Sequence, residues 1–252
     1  MNKRKVRAFL KNNLDLSDFE IESKKSGESN HNFIIKKADE KHVLRVSKQI
    51  SRENRLENEA EKLEFLERQD IDFAPRKIIH QEDTKIGEIL IESFVGEEDL
   101  SRENMNEKRL RSLAKNIAEI HSIPVKRYNK FFEKQEKAKR NLQQIFRDDF
   151  KDWSKRPFEE YMELVEEPDN RIKYYYEKQK TLLEKVPNVD VKRSLVHGDL
   201  GFNIRATGDQ VFIVDWEFSR VSYPGIEILY CFEHEKLDQD QRKVFLKEYQ
   251  KH

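Results

Sequence analysis

One cysteine, Cys231, stands in the whole chain. An internal disulfide is therefore excluded, and a reducing compartment, the cytosol, is expected. Glycine is also sparse, with seven in 252 residues. The chain has neither a G-x-x-x-x-G-K-[ST] loop nor a G-x-G-x-x-G turn, which removes P-loop NTPases and Rossmann dinucleotide binders. Net charge is missing too. The 49 basic and 49 acidic residues cancel, so no global field draws in nucleic acid or an anionic membrane. No apolar run approaches the roughly 18 residues of a membrane-spanning helix. The basic start, Met1 to Lys5, is not followed by the apolar stretch of a secretory signal. His and Cys show no zinc spacing.

What is present is charge and aromatic bulk. Charged residues make up 39% of the chain and the hydrophobic class 36%, yet 16 Phe, 8 Tyr and 2 Trp are too many for a disordered polymer. The length allows one large domain or two modest lobes. Residues 2–12 read as a short helix. Residues 19–22, 32–36 and 42–46 are β-prone runs separated by turn residues, an antiparallel meander. Ser51 is placed to cap a helix through Arg68, with Leu56, Ala60, Leu63 and Phe65/Leu66 at helical spacing. Two strands follow, over 76–80 and 87–94. After Gly96 the chain turns helical, and Leu110, Leu113, Ile117 and Ile120 mark one apolar face that ends before Pro124. Residues 127–186 read as charged, aromatic helices broken at Pro157, Pro168 and Pro187, with the aromatics as core, or else placed near acidic residues to hold a cationic acceptor by cation–π contact. A last helix begins near Gln239. The expected organisation is a β-rich N-lobe over 1–95 and a mainly helical C-lobe over 96–252, joined near Ser93–Asp99.

The chemistry concentrates in Leu195–Asn203 and Phe212–Glu217. Asp199, Asn203 and Asp215 lie on two loops, each after a short apolar run that reads as a buried strand. Asp199 sits in a glycine-flanked loop where a carboxylate can accept a hydroxyl proton; the plainer alternative is an Asp that stabilises a turn. A carboxylate ending a buried strand, as Asp215 does, is costly unless paired or metal-bound. Magnesium or a salt bridge would each answer that cost. Asn203 supplies a neutral oxygen to a metal shell, or simply caps its loop.

His197-Gly198-Asp199 with Asn203 downstream, then Asp215-Trp216-Glu217, resembles the paired signature of the aminoglycoside phosphotransferase and choline kinase superfamily. The corresponding protein-kinase motifs are H-R-D and D-F-G. The resemblance covers most of the chain and implies an α+β, protein-kinase-like two-lobe fold. It also implies an ATP-dependent transfer of the γ-phosphate to a small-molecule hydroxyl, with Mg2+. By that resemblance Asp199 is catalytic, and Asn203 and Asp215 hold the metal. Arg45, in the place of the strand-3 lysine, contacts the phosphates and is held by Glu59. Backbone at Gly27, Ser29 and Asn30 covers the phosphates, and the hinge at Glu92 and Phe94 takes adenine. His197 braces the loop. Helices within 127–190 are left to supply the acceptor site for an amino alcohol, a sugar or an aminoglycoside-like molecule.

Two positions depart from the family pattern. The family asparagine usually stands five residues after the catalytic aspartate, whereas Asn203 stands four after Asp199. Pro224-Gly225-Ile226-Glu227 replaces an aspartate-containing stretch, so Glu227 takes the place of the acid. The shortened loop and Arg45 keep open a non-catalytic nucleotide-binding pseudokinase. An atypical protein kinase is a further alternative, though only 11 residues separate Asn203 from Asp215, too few for an activation segment. The expected partner is the small-molecule acceptor, with no nucleic acid and no membrane span; the sequence leaves the oligomeric state open.

Overall fold

A computed structural model describes residues 3–13, 19–26, 30–48, 55–82, 84–124, 141–167, 169–201 and 203–252. In chain order the elements begin with α1 (Lys3–Asn13), β1 (Glu20–Ser26), β2 (Asn30–Lys37), β3 (Glu40–Ser47), α2 (Arg55–Glu67), β4 (Lys77–Gln81) and β5 (Ile89–Ser93). They continue with β6 (Glu98–Asp99), α3 (Glu107–Ser122), α4 (Leu142–Phe150), α5 (Arg156–Leu164) and α6 (Asn170–Glu184). The last are β7 (Ser194–Val196), β8 (Ile204–Thr207), β9 (Gln210–Ile213), β10 (Arg220–Ser222), α7 (Pro224–His234) and α8 (Gln239–Tyr249). This is the expected α+β composition. The chain divides into two compact units: the first comprises residues 1–122, 197–219 and 229–252, the second 123–196 and 220–228.

The first unit is built on an antiparallel sheet of order β1-β2-β3-β5-β4. Register decides what each face carries. On one face Phe33, Ile35, Leu44, Val46, Ile89 and Ile91 are buried together with Val6, Phe9 and Leu10 of α1. Each such side chain contributes about 1.5–3 kcal/mol by leaving water. Successive strand residues point to opposite faces, so the intervening residues look the other way. Arg45 pairs with Asn32 and Leu90, and Val43 pairs with Ile34 and Glu92. This second face carries the polar residues. Helix α2 buries Leu56, Ala60, Leu63, Phe65 and Leu66, but also Glu59 and Lys62.

The same unit contains the small sheet β6-β8-β9 and the pair α3 and α8. Asn116 of α3 donates to the carbonyl of Val211 in β9 at 2.7 Å. His121 Nδ1 lies 2.9 Å from the hydroxyl of Tyr249 in α8. Helix α8 starts on a capping box, Asp238 accepting from the amides of Asp240 and Gln241, the arrangement that satisfies otherwise orphaned N–H groups.

In the second unit Pro157 does not break the helix. Helix α4 passes through a π turn, Lys151–Lys155, directly into α5, where Pro157 falls in the first turn. The proline is accommodated directly after the wider π turn, where the Arg156 amide donates five residues back to Lys151 O and the ladder is already interrupted. Pro168 lies outside the described residues, and Pro187 does follow the end of α6. The reading of the aromatics as core is also corrected. Phe158 stacks on Tyr176 at 3.9 Å and Phe150 lies 5.5 Å from the same ring, all half-buried, while Tyr174 and Tyr175 are each 61% exposed. Helix α6 buries no side chain, so its helical spacing did not imply a buried stripe. Strand β7 pairs antiparallel with β10. No helix of the described residues is long and apolar enough to cross a membrane.

Candidate active site

Arg45 is the centre of the polar face. Its Nη1 donates to Glu59 Oε1 at 2.6 Å and its Nη2 to Asp215 Oδ1 at 2.9 Å. The guanidinium fork thus ties the sheet, helix α2 and the turn after β9 together, a geometry that a lysine point charge cannot reproduce. Glu59 Oε1 also accepts the Trp216 amide at 3.2 Å. Lys62, on the same helix, donates to the Glu217 carbonyl. Trp216 is fully buried and its indole N–H donates to Ile213 O at 2.9 Å. These anchors hold Asp215 in a left-handed conformation, φ 66° and ψ 61°. That conformation costs about 1–2 kcal/mol for a residue with a side chain, and it persists where surrounding contacts over-determine it.

The loop with His197, Asp199 and Asn203 follows β7. Gly198 takes φ of 86°, which glycine adopts without penalty. His197 is 1% exposed, its Nε2 donating to Val214 O at 3.0 Å and its Nδ1 accepting the Asp199 amide at 3.3 Å. Both bonds together require the neutral Nε2–H tautomer, and the ring meets Trp216 edge-on at 4.6 Å. This is the bracing role expected for His197. Asp199 is exposed. Asn203 Nδ2 donates to the Asp199 carbonyl at 2.6 Å and reaches its carboxylate at 3.3 Å, and the Val214 amide donates to Asn203 O at 2.9 Å. The amide nitrogen is engaged by Asp199, so the side-chain oxygen is the atom with which Asn203 could bind a metal.

Negative charge is in excess around Arg45. Ligand atoms of Glu59, Asp215 and Glu217 all lie within 4.8 Å of one another, and Glu92 is buried on the same face. Burial opposes the Arg45 charge, but the carboxylates of Glu59, Asp215 and Glu92 more than reverse that, and its pKa is raised. Burial pushes the Glu59 carboxyl well up, against the pull of Arg45. Burial likewise pushes Glu92 up to about 7, opposed by Arg45 and assisted by Asp215. Glu59 Oε2 and Glu92 Oε2 find no hydrogen-bond donor among the described residues. Hard oxygen donors brought close together are what a magnesium ion requires, and the grouping of Glu59, Asp215 and Glu217 fits that ion.

A cavity of about 280 Å³ opens on this face, lined by Ile34, Val43, Arg45, Glu92, Phe94, Asn203 and Asp215 among others. Of the residues singled out from the sequence, Arg45, Glu92, Phe94, Asn203 and Asp215 therefore share one cavity. Glu59 stands behind Arg45, and Asp199 adjoins through Asn203. Asn30 is buried at the start of β2, paired with Ser47. Gly27 and Ser29 lie outside the described residues. The hinge holds a detail that the sequence did not show: the Phe94 amide donates to Lys41 O at 3.1 Å and that of Ser93 to Arg76 O at 2.9 Å. The first hinge N–H without such a bond among the described residues is that of Val95. Lys62 was also missed. Its signal was present, since a lysine three residues after Glu59 falls on the same helix face.

The chain belongs to the phosphotransferase enzyme family, whose model matches residues 20–252. No curated protein sequence matches it. Among solved structures it is similar to gentamicin-bound APH(2")-IIa, with 20% identity, a TM-score of 0.68, and 99% of this chain and 82% of that one covered. It is similar to the choline kinase LicA from Streptococcus pneumoniae, with 17% identity, a TM-score of 0.65, and 98% and 79% covered. It is also similar to an ethanolamine kinase of Plasmodium vivax, with 17% identity, a TM-score of 0.68, and 99% and 75% covered. The protein-kinase-like fold expected from the paired motifs is therefore the fold of this chain.

Proposed function

We propose that this phosphotransferase moves the γ-phosphate of ATP to a hydroxyl of a small molecule, with Asp199 as the residue that orients the hydroxyl and accepts its proton. The observation that carries the reading is the Arg45 fork. One cation binds Glu59 at 2.6 Å and Asp215 at 2.9 Å in the cavity that Asn203 also lines. Phosphoryl transfer is catalysed almost wholly by positioning and charge stabilisation, and this frame supplies both. Arg45 faces the triphosphate, and Glu59 holds it in place. Asn203 and Asp215 hold Mg2+, which neutralises charge on the phosphates when bound. Phe94 and Val43 line the slot for the base, with the Val95 N–H as the hinge donor. The Phe94 N–H is already given to Lys41 O, so in this reading the Val95 N–H joins the Glu92 and Phe94 hinge backbone in taking adenine. Gly27, Ser29 and Asn30 remain the backbone proposed to cover the phosphates. The division into a nucleotide side over 1–95 and a catalytic side over 96–252 follows from these roles, with residues 127–190 left to the acceptor. A cytosolic location agrees with the single, buried Cys231.

The test is a coupled ADP assay over amino alcohols, sugars and aminoglycosides, run on the wild type and on Asp199→Asn. The expected result is turnover with one acceptor class and a loss of about 10²–10⁴ in rate for the variant, with ATP affinity retained. Wild-type rates in Asp199→Asn would remove that residue from the mechanism. Binding of Mg2+-ATP with no turnover of any acceptor would mark a non-catalytic nucleotide binder instead.

A further inference from the structure

Two glycines flank Leu200, for different reasons. Gly198 needs its left-handed backbone. Gly201 is not among the residues with positive φ, so conformation does not require glycine there. Space does. A Cβ built on Gly201 would stand 2.5, 2.7 and 2.8 Å from Cδ2, Cγ and Nε2 of His234, far inside the contact distance of about 3.5–4.0 Å. The imidazole therefore lies directly on the backbone of the loop. Its other edge is held: Nδ1 is 3.1 Å from Oε1 of Glu235, a residue only 5% exposed. The chain that carries the ring is fixed in turn. The Glu235 amide donates to Cys231 O and that of Leu237 to Phe232 O, both at 3.0 Å.

The loop under this ring is pinned at both ends and short in the middle. Leu200 is 2% exposed, and Asn203 is held by the Val214 amide at 2.9 Å. What remains to be placed between them is the stretch that begins at Gly201. We propose that His234 is a positioning residue for the Asp199–Asn203 loop. Its imidazole, clamped by Glu235, sets the height of Gly201 and so fixes the spacing of the catalytic carboxylate and the metal-facing amide. The glycine is the complement of the ring. The proposal rests on the roles given above to Asp199 and Asn203.

The test is a double-variant cycle in the full chain: Gly201→Ala, His234→Ala and both together. Thermal unfolding, Mg2+-dependent ATP binding and ADP release are measured on each. Gly201→Ala is expected to lower turnover about a hundredfold, the effect of displacing a catalytic group by about 1 Å. His234→Ala is expected to lower it about tenfold, with Mg2+-free ATP affinity within about twofold of wild type. The combined variant should recover at least about tenfold over Gly201→Ala, because the ring in the way of the added methyl is gone. His234→Gln, which retains a group able to bond Glu235, should keep more activity than His234→Ala. A combined variant no better than Gly201→Ala overturns the proposal. So does a His234→Ala protein that is less stable but turns over at the wild-type rate per folded molecule, since packing alone would do that. If the wild type releases no ADP with any acceptor, the functional reading fails by itself. The Mg2+ dependence of ATP binding across the four proteins then decides the positioning role, an unchanged dependence overturning it.

Discussion

Replacing Arg45 by Met tests the electrostatic frame most directly. Met roughly preserves the volume and fills irregular gaps, so the cavity contribution is small. What changes is charge. Glu59 is fully buried, and without Arg45 its carboxylate keeps, among the described residues, the Trp216 amide at 3.2 Å. Removing one partner of a buried ion pair costs about 3–5 kcal/mol. For a chain of this size each kcal/mol lowers the midpoint by about 2–4 °C, so the expected drop is about 6–20 °C at pH 7.5. Acid should shrink it. A buried acid whose folded pKa is raised binds its proton more tightly folded than unfolded. Its penalty is therefore absent below the unfolded value of about 4.3 and grows as pH rises through the folded value. Thermal unfolding of the ligand-free protein at pH 5 and 7.5 reads both effects. Arg45→Lys keeps a charge that cannot span both carboxylates and should fall between the other two proteins. A variant within about 2 °C of wild type at pH 7.5, or a gap that widens toward acid, would refute the reasoning.

Three further outcomes are expected. Glu92 titrates near 7 in the folded chain and near 4.3 unfolded. The folded state thus binds more protons in between, and stability falls as pH rises from about 4.5 to 7. Glu92→Gln should flatten that slope and exceed wild type by up to about 3 kcal/mol above pH 7.5 in urea titrations, and an unaltered slope would place the titration elsewhere. Asn203→Ala should raise the Mg2+ concentration for half-maximal turnover by about tenfold or more, while an unchanged requirement would remove Asn203 from the metal shell. Lys62→Met deprives the Glu217 carbonyl of a charged donor and should lower stability by about 1.5–3 kcal/mol. A loss below about 0.5 kcal/mol in chemical denaturation would show that the turn after Asp215 is held without it.

The parts of the fold legible in the sequence are those with a local signal. The three-strand meander, α2, α3 and α8 fall within a few residues of where hydrophobic spacing and turn residues put them, and β2, β3, α2 and α3 bury regular faces. Asp199, Asn203 and Asp215 were legible as types of residue in a spacing. The paired signature, and not their periodicity, gave them roles. What stayed hidden was non-local. The Phe94 amide is lost to Lys41 through a sheet contact that no hinge motif encodes. Pro157 reads as a break until a π turn is seen to place it in a first turn. The aromatics of α6 have helical spacing but no partner layer beneath them, so spacing alone could not say that Tyr174 and Tyr175 face solvent. Helix α7 was not expected at all, and it ends in the one ring, that of His234, that meets Gly201.

The site also explains why its strain is tolerated. A left-handed Asp215 and two buried carboxyls with bare oxygens each work against the fold. The left-handed Asp215 survives because the turn that carries it is fastened by a fully buried tryptophan and by two residues of a single helix, Glu59 and Lys62, and the two carboxyls face the buried guanidinium of Arg45. A frame of this rigidity leaves little to rearrange when charge develops on a transferring phosphoryl group, and preorganisation of that kind is where electrostatic catalysis draws its free energy. The same logic extends to the loop. A chain one residue short between Asp199 and Asn203 has less freedom to search for the right spacing, and an imidazole wedged against the backbone of Gly201 turns that shortage into a fixed geometry.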